Sequence, residues 1–217
     1  MDKTTILPGG DGYAESYLGL SITQTAIREG DLVEFFVYQD SFYLDYYTWL
    51  TTEQGRVDYA VAQVNEPISL SVKGYCYAFY STTTDLSYRD GAALVKNGDC
   101  MDLPVVLVNA DTGAVKETSE VVSEEGTFSI SFSTPGTYFL SVQGDEYTSV
   151  IMPWCAVEVK DTLTESDKVS AAINNLGETD LMGKNPSLSA LNQNLTLPQS
   201  TYPGTKITWS LETQDSE

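Results

Sequence analysis

The sequence predicts an all-β fold, an antiparallel two-sheet sandwich over residues 1–160 followed by a small α+β tail over 161–217. Three observations lead there. Short runs of alternating apolar and polar residues recur at roughly 8–14-residue spacing. Turn-forming residues separate them, and no helical period intervenes before residue 160. The composition leans the same way, with 14 Tyr and seven Phe in a chain that is 41% hydrophobic. Aromatic and β-branched side chains favour a pleated, half-buried surface.

Taken in order, Tyr17–Ile22 is a first, weak strand after the Gly-rich start Pro8-Gly9-Gly10-Asp11-Gly12. Leu32–Tyr38 follows, with Val33, Phe35 and Val37 sharing a face. Next come the aromatic run Phe42–Leu50 and then Val57–Val64. In Ile68–Val72 the alternation is clean: Ile68, Leu70 and Val72 point inward, Ser69 and Ser71 outward. Tyr75–Tyr80 precedes a long polar loop from Ser81 to about Met101. Val105–Val108 ends in the turn Asn109-Ala110-Asp111-Thr112-Gly113. Phe128–Phe132 and Tyr138–Val142 flank Thr134-Pro135-Gly136, which reads as a tight connection. Cys155–Val159 closes the series. The expected core is Phe35, Val37, Leu70, Val72, Phe128, Ile130, Phe132, Tyr138, Leu140 and Val157.

The texture changes at Lys160. Thr164-Glu165-Ser166-Asp167 sets a hydroxyl three residues before an acid, the capping-box spacing. Val169, Ala172, Ile173 and Leu176 follow at helical intervals, and Gly177 terminates them. Two strands are expected beyond the helix, Asn194–Pro198 and Lys206–Ser210, the second reached through the Pro203-Gly204 turn.

The helix Asp167–Leu176, with Asn194-Leu195-Thr196-Leu197-Pro198 and Ile207-Thr208-Trp209-Ser210, resembles the start of an atrophied bacterial immunoglobulin-like domain, a repeat of surface and secreted bacterial proteins. The resemblance implies a core position for Trp209 and further strands beyond Glu217, so the tail reads as a truncated repeat. On that reading Leu195, Leu197, Ile207 and Trp209 are buried against the first domain or a second copy of the chain, with self-association through the tail. Separately, Gly126-Thr127-Phe128, Thr134-Pro135-Gly136-Thr137-Tyr138 and Val157-Glu158-Val159 are similar to the last strands of bacterial immunoglobulin-like modules. That similarity makes the predicted sandwich immunoglobulin-like.

Charge and composition exclude several functions. Eleven basic residues against 31 acidic ones give a formal charge of −20. Such a surface repels a phosphate backbone and an anionic membrane alike, so neither nucleic acid nor membrane insertion is expected. The chain has no histidine, which removes the usual general base, the commonest metal ligand and the Ser-His-Asp and Cys-His arrangements. Cys76, Cys100 and Cys155 form no C-x-x-C pair, so no zinc or thioredoxin-type site is indicated. A Cys76–Cys100 bridge is open, and Cys155 reads as a buried thiol in an apolar strand. Met1-Asp2-Lys3-Thr4 lacks an apolar signal core, and no run nears the ~20 apolar residues of a membrane span. The expectation is an extracellular or cell-surface chain whose export signal has been removed.

The strongest candidate site is the aromatic run Tyr38–Trp49. On a strand, Tyr43, Asp45, Tyr47 and Trp49 share one face, mixing rings with a carboxylate as sugar-stacking surfaces do. The competing reading buries both faces, since aromatics supply much of a core. Asp85, Asp90, Asp99 and Asp102 are the nearest approach to a calcium loop, without the D-x-D-x-D-G spacing. Leu197-Pro198-Gln199-Ser200-Thr201 only faintly matches a sortase signal, and Asn194-Leu195-Thr196 is a glycosylation sequon. No acid pair sits in a hydrolase motif. The sequence therefore leads to a non-catalytic module, without cofactor or metal, that spaces, presents or adheres. Its ligand, glycan or protein, is left open; the alternative is a carbohydrate-binding module using Tyr43, Tyr47 and Trp49.

Overall fold

The structure, a computed structural model, describes residues 46–76 and 100–210, except 110–111, 147, 149, 152, 178–179, 182, 184, 186–187 and 189–190. The expected strands Tyr17–Ile22 and Leu32–Tyr38, with Phe35 and Val37, lie outside the described residues, as do Phe42–Asp45, Tyr77–Tyr80 and most of the long polar loop.

Among the described residues, ten strands and the helix α1 follow in order: β1 Tyr46–Thr52, β2 Gly55–Arg56, β3 Tyr59–Gln63, β4 Ile68–Cys76, β5 Pro104–Val108, β6 Val115–Val121, β7 Thr127–Ile130, β8 Gly136–Val142, β9 Val150–Ile151, β10 Cys155–Lys160 and α1 Glu165–Asn174. They make two five-stranded sheets. One runs β2-β1-β4-β7, with β9 also on β1; the other runs β3-β10-β8-β5-β6. Leu50, Leu70, Val72, Phe128 and Ile130 from the first sheet meet Ala60, Ala62, Val105, Leu140, Val142, Cys155, Val157 and Val159 from the second in one core. Two sheets closing over a common apolar layer is the sandwich arrangement that the alternating runs predict. Of the predicted core, Leu70, Val72, Phe128, Ile130, Phe132, Leu140 and Val157 are buried. Tyr138 is half-buried, packed against that core with its ring 4.8 Å from that of Phe132.

The sheets are mixed, which corrects the expected purely antiparallel pairing. β1 pairs with β9 in parallel, and so does β10 with β3, from Ala156↔Tyr59 to Lys160↔Gln63. Parallel neighbours cannot share a tight turn. Here the whole excursion through β4 to β9 separates β3 from β10, so no crossover helix is needed. The predicted strand Ile68–Val72 is joined to the start of the predicted Tyr75–Tyr80: β4 runs unbroken through Lys73-Gly74 to Cys76, with Gly74 opposite Thr48. The glycine is buried and weakens the strand interior without breaking it, because the pairing with β1 continues through it.

Turn chemistry matches local sequence. Gly113, at φ 68°, donates to the Asn109 carbonyl at 2.8 Å, and the Asn109 amide donates to Ala114 at 2.8 Å, closing the β5–β6 hairpin where the sequence places it. Thr134-Pro135-Gly136 is a connection between sheets instead of a hairpin, since β7 and β8 lie in different sheets. The Tyr138 hydroxyl donates to the Thr134 carbonyl at 2.8 Å and holds it.

The helix starts as its capping box requires. The Thr164 side chain accepts from the Asp167 amide, and the Asp167 side chain accepts from the Thr164 amide. Its buried face, however, is Ala171 and Ala172, while Val169 and Ile173 face solvent. Of the expected stripe, Ala172 is thus buried, whereas Val169 and Ile173 are not; the small Ala171 joins Ala172 in the core instead. Neither Asn194–Pro198 nor Lys206–Ser210 is a strand. The two segments are tied by the Ile207 amide donating to Gln199 and the Trp209 indole donating to the Pro198 carbonyl at 2.8 Å. Leu195, Leu197 and Trp209 are 41%, 49% and 37% exposed. The expected burial of these side chains against the first domain is therefore not the arrangement seen, and Trp209 is no core residue.

Candidate functional site

Residues on both sides of Lys160 share the same core. Ala171, Ala172 and Tyr202 belong to it together with Val61 of β3. Alternation along the second sheet explains how. Ala60 and Ala62 face the other sheet, so Tyr59, Val61 and Gln63 face outward, beneath α1 and Tyr202. Among the described residues β3 is also an edge strand, with backbone groups of alternate residues left unpaired by β10.

Two side chains satisfy them. The Asn175 carboxamide, at the end of α1, accepts from the amides of Asp58 at 3.0 Å and Tyr59 at 3.1 Å, and donates to the Tyr59 carbonyl at 2.7 Å. The Tyr202 hydroxyl donates to the Val61 carbonyl at 2.8 Å and accepts from the Val61 amide at 3.0 Å. Together they occupy the positions a further strand would take. Thr201 secures the segment by donating from Oγ1 to the Ala172 carbonyl at 2.6 Å.

A polar chain lies over the same outer face. The Tyr59 hydroxyl donates to Glu158 Oε2 at 2.5 Å. Lys160 Nζ lies 3.3 Å from Glu158 Oε1 and 2.6 Å from Asp167 Oδ1. Asp167 Oδ2 also accepts from the Thr164 amide at 2.8 Å and hydroxyl at 2.7 Å. Burial, reinforced by the bond to Glu158, pushes the Tyr59 phenol up to about 12. The Tyr59 hydrogen bond holds Glu158 below its ordinary value. The Lys160 and Thr164 contacts bring Asp167 down to about 2. Each group is thus held in the protonation state it already has at neutral pH, the opposite of a base or acid poised to exchange a proton. This network ties β3, β10 and α1 together. Cys155 is also strongly shifted, raised by burial to about 12, and faces the core, where a thiolate is disfavoured.

Further along the same outer face, the cross-strand row continues from Ala156 to Phe139, then Val108 and Val115. Here α1 no longer covers it. Phe139, Val108, Pro153 and Trp154 line a shallow depression of ≈ 340 Å³ together with Asn109, Gly113 and Ser141. Trp154 is 50% exposed. Ser141 is buried beneath this rim and donates to the Pro153 carbonyl. The depression is largely apolar.

The sequence-derived aromatic face is placed as follows. Tyr43 and Asp45 lie outside the described residues, as does the side chain of Tyr47. Tyr47 sits in β1 opposite Tyr75 and Ile151. Trp49, opposite Lys73, is on the face away from Leu50 and is nonetheless only 5% exposed. Thr48, Leu50 and Thr51 are buried too, so β1 is covered on both faces here. Asp85, Asp90 and Asp99 lie outside the described residues. Among the described residues no three His, Cys, Asp or Glu side chains gather where they could hold a metal ion. The Cys76 side chain is likewise outside, while Cys100 is buried in the core. Among the described residues no helix is long and apolar enough to cross a membrane.

Asn175 and Tyr202 escaped the sequence reading. Asn175 follows the helix as an ordinary terminal residue, and Tyr202 sits before a Pro-Gly turn in a polar stretch. Only the preference for aromatics with a polar tip at half-buried junctions hints at Tyr202. No protein-family model matches the chain, and no curated protein does either.

Proposed function

We propose that this chain is a non-catalytic module of a bacterial cell-surface or secreted protein, where it spaces, presents or helps to adhere other domains. The observation that carries the reading is the sealed junction at Lys160. The segment after the sandwich is fixed by Asn175 and Tyr202 on the edge of β3 and by Ala171 and Ala172 in the common core. A spacer must hold its successor at a set angle, and a linker without such contacts would not. The absence of histidine from the sequence, the protonation states held by burial, hydrogen bonds and ion pairing, and the similarity of residues 126–138 and 157–159 to the last strands of bacterial immunoglobulin-like modules favour the same reading. The strong negative charge suits an exposed, soluble surface.

Antibody labelling of intact cells of the encoding organism tests it. Labelling without permeabilisation is expected; labelling only after permeabilisation overturns the location. Turnover of a polysaccharide or peptide by the purified chain overturns the non-catalytic assignment. A screen against glycans and matrix proteins then separates adhesion from pure spacing. The carbohydrate-binding alternative centred on Tyr43, Asp45, Tyr47 and Trp49 has no support from Trp49, whose ring is already covered.

A further inference from the structure

Among the described residues, the second sheet ends at one side on β3 and at the other on β6. The two edges are treated in opposite ways. β3 is sealed by Asn175 and Tyr202, whereas the residues of β6 are exposed apart from Thr118 and Glu120, which are half-buried. Val115 and Val121, at its ends, are 46% and 50% exposed.

The backbone of β6 presents its bonding groups outward at regular intervals. At the hairpin end Asn109 takes the Ala114 carbonyl; by the alternation of an antiparallel ladder Lys116 then bonds toward β5, and Val115 and Glu117 turn outward. At the other end the Val122 amide donates to Leu103, so Val121 turns outward as well. The register shift between Pro104 and Val106 places three residues of β6, Thr118 to Glu120, against one of β5, Val105, which is two extra residues. An even number of extra residues preserves the alternation, so Val115, Glu117 and Val121 keep one phase.

The side chains along this edge are self-complementary. Setting β6 antiparallel to a second β6 about a two-fold axis at Thr118 puts Val115 opposite Val121, Lys116 opposite Glu120, and Thr118 opposite itself. Val115 and Val121 become hydrogen-bonded pairs in this register, matching their outward-turned backbone. A parallel pairing would instead set Lys116 against Lys116 and Glu120 against Glu120. We propose that the free edge of β6 docks a second copy of this chain by antiparallel strand addition, joining the two second sheets into one across a two-fold axis. Cross-strand apolar and opposite-charge pairs are the units that stabilise such a ladder, and like charges directly opposite destabilise it. An interface of one strand pair falls below the size of obligate dimers, so the association is weak and concentration-dependent. It places the two copies side by side, an arrangement suited to a surface array.

Sedimentation velocity of the full chain at about 0.15 M salt, where the Debye length is about 8 Å, tests this. The weight-average sedimentation coefficient is expected to rise with concentration into the hundreds of micromolar. Lys116→Glu sets like charges opposite each other twice per dimer and is expected to weaken association about tenfold. Glu120→Lys does the same, and the double variant K116E/E120K restores it, because each new lysine then faces a new glutamate. Circular dichroism confirms that each variant folds. Hydrogen exchange supplies a readout independent of the variants, with the amides of Val115, Glu117 and Val121 gaining protection as concentration rises. A chain that stays monomeric throughout, a dimer indifferent to Lys116→Glu, a double variant no better than the singles, or protection elsewhere overturns the proposal.

Discussion

The hydroxyl of Tyr202 bonds to both backbone groups of Val61, donating at 2.8 Å and accepting at 3.0 Å, across 141 residues of sequence. One phenol thereby does the work of a neighbouring strand at the middle of β3. The site is buried, with Tyr202 only 8% exposed, and burial raises its pKa above the ordinary tyrosine value.

Tyr202→Phe keeps the ring and removes both bonds. The Val61 amide and carbonyl are then left in an apolar pocket without partners, at a cost of about 1–3 kcal/mol for an unmade buried hydrogen bond. Chemical denaturation should show a loss in that range. Because the tail and the sandwich share one core, the transition should stay single while its midpoint falls. An unchanged midpoint would mean that the bonds to Val61 contribute nothing.

The strand pattern of the sandwich was legible wherever a strand faces the core on one side. Ile68, Leu70 and Val72, or Cys155, Val157 and Val159, alternate because one face is buried and the other is not. β6 carries no such mark: Val115–Val121 is an edge strand whose residues are mostly exposed, so its hydrogen bonds to β5, and no apolar period, define it. The capping box was legible because Thr164 and Asp167 interact locally. The seal on β3 was not, because Asn175 and Tyr202 bond to backbone more than 100 residues away, and any sequence offers the same amide and carbonyl. The tail strands failed for a related reason. Asn194–Pro198 and Lys206–Ser210 have strand-like residues without a neighbouring strand to pair with among the described residues, and β-propensity counts only when a sheet receives it.

Asp167 gives the junction a pH dependence with a definite sign. Its carboxyl is held at about 2 by the Lys160 and Thr164 contacts, below the value of about 3.9 typical of an unfolded aspartate. The contribution is therefore fully present above about pH 4 and is lost as pH falls through about 2. Asp167→Asn should destabilise the chain at pH 7. The difference from the parent should shrink progressively below pH 4 and close near pH 2. Denaturation midpoints of the two proteins measured in parallel across that range check it; a gap that persists unchanged to pH 2 would contradict the ion pairing.

Cys155 should behave as a reporter of core opening. Its thiol is fully buried and raised by that burial to about 12, so both access and thiolate formation oppose reaction. Maleimide treatment at pH 8 followed by peptide mapping should leave Cys155 unlabelled in the native chain and label it fully in denaturant. Because Tyr202→Phe lowers global stability, it should accelerate labelling in proportion to the larger open population. Rapid labelling of Cys155 in the native parent would contradict its place in the core.

Gly144 sets the path that returns the chain from β8 to β9. A Cβ at this position would stand 2.5 Å from the Thr148 carbonyl oxygen and 2.9 Å from the Val150 amide nitrogen. Both obstacles are backbone, so no rotamer change relieves them. The Asp145–Thr148 turn is itself fixed by the Asp145 amide bonding to the Thr148 carbonyl at 3.1 Å and the Thr148 amide to Asp145 Oδ1 at 2.7 Å. Gly144→Ala must therefore displace the turn and pull Val150 from its pairing with Tyr46, also disturbing the Thr48 hydroxyl's bond to Ile151 at 2.8 Å. Overpacking of this kind costs about 1–3 kcal/mol. Gly113→Asn is the control. Gly113 also turns the chain, at φ 68°, but nothing lies within 4 Å of its added Cβ, and asparagine tolerates that left-handed conformation. The expected outcome is a clear fall in denaturation midpoint for Gly144→Ala and a change within about 0.5–1 kcal/mol for Gly113→Asn. Equal effects at the two sites would show that the close approach at Gly144 is not what requires the glycine.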